Sequence, residues 1–186
     1  MPEINAVGDL VLTEAKEFQA LADPIALQLT DRLRRDAPAD AAALAADLGA
    51  PETNVEAHLA ELERAGIVTR AEDGWRPIAK GFVFEIPSDP EHQAAARQLS
   101  NVMLLQYVDL PRQWVADTEP RLELDWARAS GLFNARLALT PDELQALQQD
   151  LEELLAPYLT RQPTSLPPEA RDVRILGYFM PEAAGQ

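Results

Sequence analysis

The spacing of apolar residues changes at Gly66, and that change constrains the fold more than any other feature. In PETNVEAHLAELERA, residues 51–65, Val55, Leu59 and Leu62 recur at i, i+4 and i+7, which predicts an amphipathic helix. Gly66 stops it. The next stretch, IVTRAEDGWRPIAKGFVFEIP, puts β-branched and aromatic residues on both sides of Asp73-Gly74, a dipeptide that favours a tight hairpin. A helix must therefore run directly into a two-stranded ribbon.

Three shorter helices precede it. TEAKEFQALA, residues 13–22, predicts one capped by Thr13, with Phe18 and Leu21 on its apolar side. DPIALQLTDRLRRD opens the second, with Asp23 at the N-cap and Pro24 at the first helical position. ADAAALAADLG gives the third, with Leu44 and Leu48 four apart and Gly49 just past its end. Two helices, a turn, a helix ending in AGIV and then a hairpin make a winged helix-turn-helix.

These residues resemble the ArsR-type family of winged-helix transcription regulators. The resemblance rests on FQALADPIALQL, on AAALAADLGAPETNVEAHLAELERAGIV and on DGWRPIAKG, and it covers residues 13–86. The remainder is similar to longer actinobacterial-style members, with a Trp-containing helix and an LTPDEL helix start. The resemblance implies a repressor that binds double-stranded DNA at a pseudo-palindromic operator; the lack of cysteine and of a signal fits the cytoplasm, and the over-apolar helix from Asp89 to Glu119 predicts a homodimer. It does not bring a metal. The arsenic and zinc sites of such regulators need cysteine pairs or histidine-plus-carboxylate sets. This chain has no cysteine, and its two histidines, His58 and His92, lie far apart in sequence.

Composition excludes other classes. No apolar run approaches the ~18–20 residues that span a bilayer, and the start MPEINAVGDL predicts no secretory signal. No phosphate-loop, dinucleotide-binding or zinc-protease string occurs, and no Ser-His-Asp grouping can be assembled, so neither an enzyme nor a cofactor is expected. Charge runs against the DNA reading. There are 31 acids and 16 bases, for a net charge of −15. The excess is even: residues 1–88 hold 16 acids and 8 bases, the rest 15 and 8. That is the pattern of a solubilising surface rather than an acidic tail. Carboxylates such as Asp150, Glu152 and Glu153 belong to it.

The expected fold class is mainly α with small β elements (α+β). A winged helix-turn-helix domain occupies residues 1–88, and a dimerisation and effector region residues 89–186. In the second part, Asp89-Pro90 opens a long helix, bent near Pro111, whose apolar residues from Leu99 to Leu110 cover more than one side. LFNARLALT alternates as a strand. Thr140-Pro141-Asp142-Glu143 reads as a capping box opening a leucine-striped helix through Tyr158, and DVRILGYFMP as a final strand after the proline-rich RQPTSLPPEAR. Tyr107, Trp114, Trp126 and Phe133 are either ordinary core or the lining of a pocket for a small hydrophobic effector.

The candidate DNA-contacting residues are Thr53, Asn54, Glu56, Ala57, His58 and Arg64 on the reading helix, with Arg70 and Arg76 in the wing. Asn54 suits adenine, Thr53 a phosphate or thymine methyl, and Glu56 cytosine N4. His58 serves either a phosphate or helix packing. Glu56 and Ala57 depart from the family, which usually has serine followed by a basic residue there. Arg32, Arg34, Arg35 and Lys80 are the cations available to compensate. The competing expectation is a protein-interaction or small-molecule-sensing module that has lost DNA affinity.

Overall fold

A computed structural model of the chain describes residues 3–5, 7–84, 86–161 and 166–182. They form two compact units, Met1–Thr140 and Pro141–Gln186.

The first unit opens with β1 (Asp9–Val11), followed by α1 (Ala15–Leu21), α2 (Pro24–Arg35), α3 (Ala41–Leu48) and α4 (Glu52–Arg64). The local signals act as read for α2, where the Asp23 carboxylate accepts from the amides of Ile25 and Ala26. At α1 the cap differs: Glu14, not Thr13, is the N-cap. Glu17 folds back instead, and its carboxylate accepts from the amides of Thr13 and Glu14 at 2.8 and 2.9 Å. Phe18 and Leu21 of α1, Leu27, Leu29 and Leu33 of α2, Leu44 of α3, and Val55, Leu59 and Leu62 of α4 are fully buried in one core. Full burial of each such side chain favours the folded state by about 1.5–3 kcal/mol.

The hairpin follows as β2 (Val68–Ala71) and β3 (Gly74–Pro77), antiparallel, with Ala71 opposite Gly74. The loop residues are thus Glu72-Asp73, one position earlier than the Asp73-Gly74 pair that the sequence suggests. A neighbour packs against this turn. Ala39, ahead of α3, bridges to Trp75, whose amide donates to the Ala39 carbonyl at 2.8 Å. Gly74 lies beneath that crossing at φ 129°, where an added Cβ would stand 2.8 Å from the Ala39 oxygen. β4 (Gly81–Val83) then pairs in parallel with β1, Leu10 opposite Phe82. The sequence reading contains neither this pairing nor the Ala39 bridge.

α5 (Pro90–Tyr107) packs on α1 and α2, burying Ala95, Ala96 and Leu99. The helical run breaks at Val108-Asp109 and resumes as α6 (Leu110–Gln113), a π-helical turn (Trp114–Thr118) and a 3₁₀ turn (Glu119–Arg121). A bend near Pro111 is what the sequence predicts. α7 (Leu124–Ala129) ends the helices of this unit, and α8 (Pro141–Leu159) belongs to the second. Among the described residues no helix is long and apolar enough to cross a membrane.

Two expectations are corrected here. LFNARLALT and DVRILGYFMP are irregular, not strands. Alternation supplies an apolar side, but a strand also needs a ladder partner, and neither segment has one among the described residues. Of RQPTSLPPEAR, residues 162–165 lie outside the described residues. The four-aromatic pocket does not form: Phe133 is 91% exposed, and Trp114, Trp126 and Tyr107 are partly exposed.

The Gly74 crossing generates a test. Gly66 also has positive φ, 78°, but an added Cβ there meets nothing within 4 Å. Gly66→Ala should cost about 1 kcal/mol from the backbone alone. Gly74→Ala should cost more, about 2–3 kcal/mol, because Ala39 must also move. Urea denaturation of the two variants checks the order.

Candidate nucleic-acid interface

α4 is held by Val55, Leu59 and Leu62, each fully buried, so its remaining side is turned to solvent. Thr53, Asn54, Glu56, Ala57 and Arg64 are all exposed. Thr53, Ala57, Ala60 and Arg64 fall at i, i+4, i+7 and i+11, one continuous outward stripe. Glu52, Glu56, Glu61 and Glu63 stand around it, all exposed. Arg64 lies 3.6 Å from the Glu61 carboxylate.

His58 does not belong to that stripe. Its side chain is 17% exposed, and Nε2 lies 3.6 Å from Oδ1 of Asp23, the carboxylate that caps α2. Of its two sequence-level roles, helix packing is the one this geometry favours.

The wing arginines separate. Arg70 pairs across the ribbon with Trp75, and Arg76 with Thr69. Adjacent register positions alternate sides, so Arg70 and Arg76 sit on opposite faces. The Arg70 guanidinium lies 5.7 Å from the Trp75 ring centroid. Arg76 instead donates to the Asp73 carboxylate. That hydrogen bond holds the Asp73 carboxyl below its ordinary range.

The compensating cations of α2 are committed elsewhere. Arg32 is 2.7 Å from Asp47 and 3.1 Å from Asp36. Arg35 pairs with Asp36 at 2.9 Å. Arg34 stacks over the Phe82 ring at 4.7 Å and reaches Asp31 at 3.5 Å. Burial pushes the Arg34 guanidinium below its ordinary pKa, against the opposing pull of Asp31, Tyr107 and Asp9. Burial likewise raises the Asp9 carboxyl, opposed by Arg34 and Lys80. Sequence alone shows three arginines at a helix end, but not that Asp31, Phe82 and Asp47 claim them.

No group of three or more histidines, cysteines, aspartates or glutamates among the described residues is arranged to hold a metal ion.

Residues 21–71 match the model of a family described as a helix-turn-helix domain. The match runs from the last residue of α1 to the last of β2, so it takes in all of α2, α3 and α4. It supports a DNA-binding transcription regulator. No curated protein matches the sequence.

The geometry of His58 predicts the result of removing it. His58→Ala should lower stability by roughly 1 kcal/mol through lost packing and the Asp23 contact. It should leave the salt dependence of any DNA binding unchanged. A salt slope shallower by ~0.9 at unchanged melting temperature would instead make His58 a phosphate contact.

Proposed function

We propose that the chain is an ArsR-like winged-helix transcription regulator, a homodimeric repressor that binds a pseudo-palindromic operator in the cytoplasm. The observation that carries this reading is the outward side of α4. It is rigidly held from behind, unobstructed in front, and flanked by the β2–β3 wing. Thr53 and Asn54 in its first turn are the side chains that reach base edges when such a helix enters a major groove. Glu56 accepts from cytosine N4 or repels misplaced phosphates, so affinity is modest and base choice is sharp. Arg76 is the wing's phosphate contact and must exchange Asp73 for DNA. Arg70 serves only as far as it leaves Trp75.

Dimerisation is the second half of the proposal, and the distribution of apolar side chains supports it. Every buried core residue among those described lies at or before Leu99. From Leu104 onward large apolar side chains are exposed, among them Leu105, Val108, Leu124, Leu132 and Leu137. Exposed apolar side chains in such number are what a protein–protein interface covers. Residues 1–88 then form the DNA-binding part and residues 89–186 the dimerising part. A two-fold dimer also presents two reading helices to two half-sites.

The ring of glutamates around α4 favours one competing reading, a winged-helix module that binds protein or a small molecule and has little affinity for DNA. Titration of promoter and scrambled DNA across salt concentrations separates the two. The wild type should prefer the promoter. Asn54→Ala should erode that preference by ~1–3 kcal/mol if its base contact is bidentate. Glu56→Ser with Ala57→Arg should steepen the slope of log K against log salt by ~0.9. Absence of binding at low salt by both wild type and the double variant would leave the interaction module. Sedimentation should give a dimer at micromolar concentration, and Leu105→Glu should shift it toward monomer.

A further inference from the structure

Beside the end of α4 lies an open cleft of about 250 Å³, lined by Lys16, Gln19 and Ala20 of α1 and by Glu61, Arg64 and Ala65 at the close of α4. We propose that this cleft is a clamp for one DNA backbone phosphate, held between Lys16 and Arg64; the proposal rests on the DNA-binding reading above.

Lys16 stands apart from the other cations of residues 7–84. Arg32, Arg34, Arg35, Arg64 and Arg76 each have a carboxylate within 4.0 Å, Arg70 lies over Trp75, and Lys80 is also engaged. Lys16 is exposed and has no ion-pair partner among the described residues. In a chain of net charge −15, a cation without an ion pair that shares a cleft with a second cation is a place for an anion. Gln19 adds an amide donor. Glu61 opposes the anion, but its hold on Arg64 is a single exposed contact at 3.6 Å, the kind that contributes little.

The position fits a phosphate rather than a free metabolite. Arg64 ends the outward stripe that begins at Thr53. Eleven residues of helix span ~16 Å. A major groove is ~12 Å wide. With Thr53 and Asn54 over the bases, the last turn of α4 therefore arrives at the groove wall, where backbone phosphates stand.

The test uses the full-length chain, with binding to promoter and scrambled DNA followed by fluorescence anisotropy across a salt series. Lys16→Ala should make the slope of log K against log salt shallower by ~0.9 and weaken both DNAs equally. Lys16→Arg should restore the slope. Arg35→Ala is the control for bulk charge: it removes a cation at the end of α2 opposite Asp23, the residue that touches α4, and should leave the slope unchanged. Melting temperatures should match the wild type, since Lys16 is at the surface. A wild-type slope in Lys16→Ala, an equal loss in Arg35→Ala, or a change in dimerisation instead of in slope would overturn the clamp and leave the DNA reading intact. Failure of the wild type to bind any DNA would overturn both.

Discussion

The buried face of α2 touches α1, α3, α4, α5 and the hairpin strand β3, and the first unit is assembled around it. Ala26, Leu27, Leu29 and Leu33 are wholly enclosed. Thr30 joins them without penalty because its hydroxyl donates to the Leu27 carbonyl at 2.8 Å. The ends of the helix are tied by polar contacts. Asp23 caps the first turn and meets His58 of α4, while Asp31, near the last turn, accepts from the Tyr107 hydroxyl of α5 at 2.8 Å. The reading helix and the long helix that leads into the second half are thus both referenced to one element. A shift of α2 cannot leave either in place.

Electrostatics is the second constraint, and it works by subtraction. The sequence offers eight cations before residue 88. Folding commits most of them to carboxylates or rings, so few remain for phosphates. Each committed pair near the surface contributes at most about 1 kcal/mol to stability. Its larger effect is on binding, since DNA must compete with an internal carboxylate for the same guanidinium.

The core and the uncovered apolar surface divide the chain near residue 100. Before that point apolar periodicity and burial agree, because the elements that must cover one another are all present. After it, Leu105, Val108 and Leu124 are as apolar as core residues but exposed, and α8 buries none of its leucines. The hydrophobic effect acts on this surface as strongly as on the core.

Local signals determined the helices α2, α3 and α4, the stop at Gly66 and the existence of the wing, because caps, period and glycine act within a few residues of chain. The exposed candidates Thr53, Asn54, Glu56 and Ala57 followed from the same period: once Val55, Leu59 and Leu62 face inward, the opposite side must face out. What the tertiary structure decided depends on residues distant in sequence. Ala39 crosses over Gly74 beside the hairpin turn, and the parallel pairing of β1 with β4 joined two three-residue strands too short to show a period. The Asp23 contact favours the packing role of His58, and the register with Trp75 puts Arg70 on the face opposite Arg76. The two C-terminal segments read as strands show the limit from the other side. Alternation is a property of the sequence, but a strand is a property of a pair.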